Sequence, residues 1–235
     1  MDIKIAIPSY GRADNVLTKK LFPDALVVVP ESQKKEYEKN YDNVFAIPDN
    51  RDGNVVRKRN AILDLVKADY ILMVDDDLKK IVNMNDNHAL SGDEAIKYVH
   101  NGFRMMEEMG AGYFGFNFSL DPRRYKSFQP FSLTKPFYRV LGIKKDEIRF
   151  DESLFVGDVD YYLQKLRKYR RVFRYNFLTE VCGQFTNAGG VDYGKSEEVV
   201  EGQNRLIQKW GSKIVEIKPG KDNVKTFVHA PIKGV

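Results

Sequence analysis

Tyr70–Ile71–Leu72–Met73–Val74–Asp75–Asp76–Asp77 is the stretch on which the reading of this chain turns. A short apolar run closed by polar residues has the length of a strand, and its unbroken apolarity suits a strand covered on both faces of a parallel sheet. Three adjacent carboxylates at its end repel one another unless an arginine or a metal ion neutralises them. A hard divalent cation takes such ligands, with one or two carboxylates, phosphate oxygens and water filling its shell. Were the strand to continue, Asp75 and Asp77 would share a face and Asp76 would point away. The same residues also fit an acidic loop, or the cap of a helix opening at Asp77–Leu78–Lys79–Lys80.

Upstream of this stretch, apolar runs at Ile3–Pro8, Ala25–Pro30 and Val44–Pro48 alternate with helical patterns at Val16–Leu21, Ser32–Tyr41 and Asn54–Lys67. Strands separated by helices of that length make βαβ units, which wind a mostly parallel, right-handed sheet. Ligands of such sheets bind beyond the carboxyl ends of the strands. Those ends read Ser9–Tyr10–Gly11–Arg12, Glu31–Ser32, Asp49–Asn50–Arg51 and Asp75–Asp76–Asp77, so acids and arginines gather around one crevice. Downstream, Asp93–Met109 predicts a helix closed by Gly110. Gly112 to Arg139, rich in aromatic and basic residues, predicts strands with a long excursion. Asp160–Tyr169 predicts a helix, Arg171–Asn176 a basic strand and Glu197–Trp210 a last helix, with terminal strands at Ile214–Ile217 and Thr226–Val228. The expected class is α/β, a single Rossmann-like domain over residues 1–235 with an antiparallel C-terminal extension.

Composition narrows the partners. Hydrophobic residues make up 43% and charged residues 30% of the 235, values of an ordinary globular chain rather than a disordered one. One cysteine, Cys182, leaves no internal disulfide and fits a reducing cytosol; in Val181–Cys182–Gly183 it reads as a small buried hydrophobe. No signal peptide is expected before the first strand, and no apolar run is long enough to span a bilayer. The expected location is cytoplasmic. A net charge of +5 is compatible with sugar nucleotides, nucleic acid or anionic lipid, and equally with a solvated surface.

In the order of its motifs the chain resembles the GT-A-type glycosyltransferases over most of its length. The opening strand and loop match at Pro8–Ser9–Tyr10–Gly11–Arg12, and the acid that follows the second strand matches at Glu31. The helical Arg–Asn pair matches at Arg59–Asn60, with Arg57 beside it, and the DxD motif at Asp75–Asp77. A Gly-rich segment matches at Gly110–Ala111–Gly112, and a late acidic motif at Val156–Gly157–Asp158–Val159–Asp160. The resemblance implies a UDP-sugar donor held by Pro8, Ser9, Tyr10, Arg12, Glu31, Arg57, Arg59, Asn60, Asp75 and Asp76. It also implies Mn2+ or Mg2+ on Asp75, Asp77 and His229. Residues 1–110 would form the nucleotide half and 111–235 the acceptor half. The late motif departs from the family, with Gly157 where a glutamate is usual, so whether Asp158 or Asp160 would be the catalytic acid stays open. Asp158 also fits the cap of the helix that follows. An inverting reaction is expected if Asp158 serves as base.

For the acceptor, Arg123–Arg124–Tyr125–Lys126, Lys144–Lys145 and Lys165–Leu166–Arg167–Lys168–Tyr169–Arg170–Arg171 interleave bases with aromatics. That pattern suits a phosphate backbone and stacked bases, or simply a core strand with solvated lysines. In its motif style the chain is similar to the phage TET-associated glycosyltransferases. This second resemblance implies transfer onto hydroxymethylated pyrimidines, such as hydroxymethylcytosine, in DNA within the host cytoplasm. Two other readings stay open: a glycosyltransferase of cell-surface polysaccharide or glycolipid synthesis, and a non-catalytic nucleotide-sugar or nucleic-acid-binding module.

Overall fold

A computed structural model describes residues 1–121, 123, 125–154, 157–183, 197–219 and 224–228. The elements run β1 (Ile3–Pro8), β2 (Leu26–Pro30), α1 (Lys34–Tyr37), β3 (Val44–Ile47), α2 (Val55–Leu65), β4 (Tyr70–Val74), β5 (Leu78–Asn83) and β6 (His88–Ala89). There follow α3 (Gly92–Glu108), β7 (Tyr113–Asn117), β8 (Phe131–Ser132), β9 (Val140–Lys144), α4 (Gly157–Tyr169), β10 (Phe173–Cys182), α5 (Glu197–Trp210), β11 (Val215–Pro219) and β12 (Val224–Val228).

One sheet runs in the order β3-β2-β1-β4-β9-β7-β10-β5-β6, with β8 beside β10. The first four are parallel neighbours, and Ile5 stands opposite Leu72 where β1 meets β4. β9 enters antiparallel between β4 and β7, and β7 and β10 then resume the common direction. The expected α/β class holds, and β11 and β12 form the antiparallel C-terminal pair.

Alternation along the strands splits the apolar residues between two faces. Ile7, Val27, Val29, Leu72 and Val74 pack with Ala95, Val99, Phe103 and Met106 of α3. Ala6, Val28, Ile71 and Met73 pack with Val56, Ile62 and Leu63 of α2 and Tyr161, Tyr162 and Leu166 of α4. The central strands are thus covered on both sides, as the apolar run at Tyr70–Val74 requires.

Three expectations change. The chain does not continue β4 through the acids but turns at Asp76–Asp77, and Leu78–Asn83 is strand β5 rather than a helix. Leu78 and Ile81 lie in the core with Lys79 and Lys80 exposed between them, because the register against β10 shifts between Val181 and Cys182 and breaks the strict alternation. The helix expected over Ser32–Tyr41 shrinks to a 3-10 turn and the four-residue α1, where only Tyr37 is buried. The basic strand runs on from Asn176 to Cys182, because β5 and β7 both hydrogen-bond to it. Among the described residues no helix is long and apolar enough to cross a membrane.

Candidate active site

The acidic turn is built by the strands that flank it. Thr18 fixes it: its hydroxyl donates to the Asp75 carbonyl at 2.5 Å and accepts from the Leu78 amide at 3.0 Å, while its own amide donates to the Asp76 carbonyl at 3.3 Å. On the other side the Asp75 amide donates to the Arg139 carbonyl at 3.2 Å, and the Gly183 amide to the Asp77 carbonyl at 2.9 Å. Backbone bonds on every side leave the three carboxylates as the variable part.

Each carboxylate meets different surroundings. Asp76 is buried; it accepts from the Ser9 hydroxyl at 2.6 Å and is ion-paired with Arg12. Burial raises its pKa, and the bonds from Ser9 and Arg12 hold that rise back. Asp75 takes a 2.9 Å ion pair from Arg59. For Asp77, burial and the charges of Asp75 and Asp76 push the carboxyl up against the pull of Arg139 and Arg12. Asp76 therefore ties the turn to the β1 loop, and Asp75 ties it to α2 through Arg59.

Arg59 is the hinge of the site. It sits on α2, 2% exposed, and its two terminal nitrogens reach different carboxylates, one to Asp75 and the other to Asp158. Burial works against its charge, but Asp158 and Asp75 outweigh that and hold its pKa above the usual arginine value. Burial raises the Asp158 carboxyl, Arg59 lowers it, and the Asp75 charge adds to the rise. Asp158 lies inside the first turn of α4, not at its cap. The glycine before it has a packing reason: a Cβ on Gly157 would come within 2.7 Å of Val56, so the close approach of α4 to α2 excludes the usual glutamate.

The β1 loop is similarly pinned. Tyr37 accepts from the Arg12 amide at 2.9 Å and shares a 2.9 Å bond with the Ser9 hydroxyl. Lys58, buried on α2, donates to the Ser9 carbonyl, pairs with Asp52 at 3.2 Å and lies 5.4 Å above the Tyr10 ring. Pro8 ends β1, Tyr10 is 57% exposed, and Gly11 takes φ +63°, a turn that favours glycine. Glu31 stands exposed where β2 ends.

Other expected site residues are placed elsewhere. Asp160 is fully buried, and its oxygens accept from Trp210 Nε1 at 2.8 Å, Gln164 at 2.7 Å and Lys209 at 2.9 Å. That network joins α4 to α5, so Asp160 is not brought to Arg59 and the acidic turn. The physical reason is helical phase: two residues after Asp158, it projects from another side of α4. Asn60 exchanges 2.9 Å bonds with the backbone of Phe150, which fixes the loop before α4. Arg57 pairs with the half-exposed Glu152 at 3.3 Å and not with the acidic turn. His229 lies outside the described residues.

Sequence reasoning missed Glu180. It is 2% exposed on β10, and no side chain among the described residues hydrogen-bonds its carboxylate. Burial pushes its pKa up to about 8; Arg139 opposes the rise, and Asp75 and Asp77 reinforce it. A charged residue inside Phe177–Leu178–Thr179–Glu180–Val181–Cys182 was the available signal. Cys182 is half-buried, with its thiol pushed up chiefly by burial, as an unreactive strand residue would be.

The chain can now be set beside known proteins. No curated protein sequence matches it. Among solved structures it is similar to S. aureus TarS 1–349 in complex with UDP-GlcNAc, with TM-score 0.58 and 13% identity over 89% of this chain and 66% of that one. It is also similar to glucosyl-3-phosphoglycerate synthase from Mycobacterium tuberculosis in complex with Mn2+, UDP and glucosyl-3-phosphoglycerate, with TM-score 0.56 and 8% identity over 98% and 88%. The Pyrobaculum calidifontis mannosyltransferase PcManGT with GDP-Man and Mn2+ gives 0.57 and 12% over 94% and 65%. The chain thus spans about two thirds of the TarS fragment and of PcManGT. These likenesses show a GT-A fold. A family model described as TET-Associated Glycosyltransferase matches residues 3–190. With its GT-A sheet and that match over most of its length, the chain belongs to the TET-associated glycosyltransferase family.

Proposed function

We propose that this glycosyltransferase moves a sugar from a UDP-sugar to the hydroxyl of a hydroxymethylated pyrimidine in DNA. The observation that carries the reading is Arg59, a buried guanidinium that joins Asp75 at the carboxyl end of β4 to Asp158 at the start of α4. It sets an acid able to accept a proton beside a corner able to hold a cation and phosphates.

The donor set fits Mn2+ or Mg2+. Among the described residues no three ligating side chains form a ready cage. A hard cation that also takes phosphate oxygens and water needs only one or two carboxylates, here Asp75 and Asp77. Burial first, and then the charges of Asp75 and Asp76, raise the Asp77 carboxyl, and a cation there would relieve the repulsion. When bound, the ion would offset charge growing on the departing diphosphate. Arg12 and the Ser9–Tyr10 loop border the donor space, with the exposed Tyr10 ring available to a base.

In the transfer, the acceptor oxygen forms a bond to the sugar's anomeric carbon while the bond from that carbon to the diphosphate breaks. The hydroxyl proton goes to Asp158, whose raised pKa makes it a better base than a solvent-exposed carboxylate. UDP carries away the bonding pair. Two features support the acceptor class: the family match, and basic residues beside exposed aromatics such as Phe128 in the segment between β7 and β9.

The test supplies UDP-glucose or UDP-N-acetylglucosamine with Mn2+ to hydroxymethylated and unmodified DNA, then reads the nucleosides by mass spectrometry. A hexose or N-acetylhexosamine mass, according to the donor, is expected on hydroxymethylated nucleosides alone, with DNA binding that weakens as salt rises. Donor hydrolysis without any sugar on DNA would remove DNA as acceptor and leave a glycan or lipid acceptor.

A further inference from the structure

Arg174 on β10 has no part in the mechanism above, and it stands apart from the other buried cations. Among the described residues four lysines and arginines are buried. Lys58 pairs with Asp52, Arg59 with Asp75 and Asp158, and Lys165 with Asp146. Arg174, 7% exposed, makes no ion pair among the described residues. Its Nε donates to Asn176 Oδ1 at 2.9 Å and its Nη1 to the Pro136 carbonyl at 3.0 Å, both neutral acceptors. Nη2 donates to no described residue and is not sealed in the core. Burial lowers its pKa to about 10, so the guanidinium stays charged at neutral pH. A buried charge without a counter-charge costs stability, which an incoming anion would offset.

The chain around Arg174 leads to the acidic corner. Ser132 of β8 stands opposite it, and the Thr134 and Lys135 amides donate to the Ser132 hydroxyl at 3.3 and 3.0 Å. Tyr162 of α4 donates its hydroxyl to the Thr134 carbonyl and pins the same loop from the helix side. Pro136, held by Arg174, comes three residues before Arg139, whose carbonyl accepts from the Asp75 amide. Three residues of chain span at most about 11 Å. Strand register agrees: Met73, Leu141, Gly115 and Arg174 stand side by side across β4, β9, β7 and β10. That is three strand spacings, about 14 Å. On the bridge between them Tyr138 packs against the part-exposed Phe118, with ring centroids 5.1 Å apart. The exposed Lys135 adds a second cation, its pKa lowered by desolvation and then by the Arg174 charge.

We infer that Arg174 and Lys135 form a phosphate subsite for the acceptor strand, with the Tyr138 ring, on the path to Asp75, available to the target base. This deepens the reading of DNA as acceptor and rests on it. A phosphodiester oxygen accepts from the nitrogen that Arg174 leaves free and relieves the repulsion between the two cations.

The experiment measures binding of the full chain, with UDP and Mn2+, to a fluorescent oligonucleotide carrying one hydroxymethylcytosine, by anisotropy across a salt series. Arg174→Gln should weaken binding about tenfold or more and reduce the slope of log affinity against log salt by about one. Lys135→Gln, an exposed substitution, should reduce the slope likewise. Neutral methylphosphonates are then placed one at a time at the phosphates flanking the modified nucleotide. One position should weaken wild-type binding yet leave Arg174→Gln binding unchanged, because that contact is already gone. A merely structural role would leave the variant as sensitive as the wild type at every position, and that result overturns the inference. An unchanged salt slope in folded Arg174→Gln overturns it too. Should that variant not fold, a wild type indifferent to every methylphosphonate overturns it as well. A wild type that does not bind the oligonucleotide at all sinks the DNA-acceptor reading itself.

Discussion

Arg59 sets the terms at the scale of single residues. It is too buried to be a solvated helix charge, and its pairing with Asp75 and Asp158 makes them one electrostatic unit. Asp158→Asn should therefore lower kcat by about 100-fold or more, within the span of general base catalysis, with the donor KM little changed. Because its folded pKa is raised, the base form accumulates only as pH climbs through that value, so the acidic limb of the wild-type kcat profile should lie above the usual carboxylate range. A donor KM that moves instead of kcat would recast Asp158 as a binding residue. Glu180 gives a stability signature. Its carboxyl is raised from 4.5 to about 8, so the folded state binds the extra proton and stability falls as pH rises between those values. Melting temperature in chelator should decline over that window, and Glu180→Gln should flatten the decline.

Among the elements, α4 does two jobs on two sides. Gly157 lets it approach Val56 closely and brings Asp158 to Arg59, while Asp160 locks it to α5 through Trp210 and Lys209. Asp160→Asn should cost about 1–3 kcal/mol in urea unfolding, the range for disturbing a buried hydrogen-bonded group, while the folded enzyme keeps its kcat. A kcat loss like that of Asp158→Asn would return Asp160 to the chemistry. On the opposite face, α3 lies directly on β7, and a Cβ on Gly102 would meet the Phe114 ring at 2.4 Å. Gly102→Ala should destabilise by about 1–3 kcal/mol through overpacking, read by the same unfolding curve. The sequence made α2, α3 and α5 visible through caps and amphipathic period, with Asn54 and Ser91 at two of the N-caps. It hid β5 and β9, because Leu78–Asn83 mixes lysines with core residues and Val140–Lys144 is five residues after a loop. Their strand character comes from partners distant in sequence.

For the whole molecule, a sheet that links the β1 loop, the acidic turn and α4 through Arg12 and Arg59 should be steadied by a ligand bound there. Mn2+ with UDP at about 100 times the dissociation constant should raise the melting temperature by about 5–10 °C, and Asp75→Ala should abolish the shift. An unchanged melting temperature in the wild type would mean that the crevice does not hold this pair. Local patterning in the sequence determined the parallel β1–β4 core, its buried strands, and the convergence of Ser9, Arg12 and Asp75–Asp77 at the carboxyl ends, since period and strand order follow from neighbouring residues. Only the tertiary structure decided which acids face each other. Asp158 and Asp160 are alike in sequence, and the helical phase of α4 sends one to Arg59 and the other to Trp210. Glu180 likewise gains its place from β10 crossing beside β5, a pairing of segments about a hundred residues apart that no local pattern encodes.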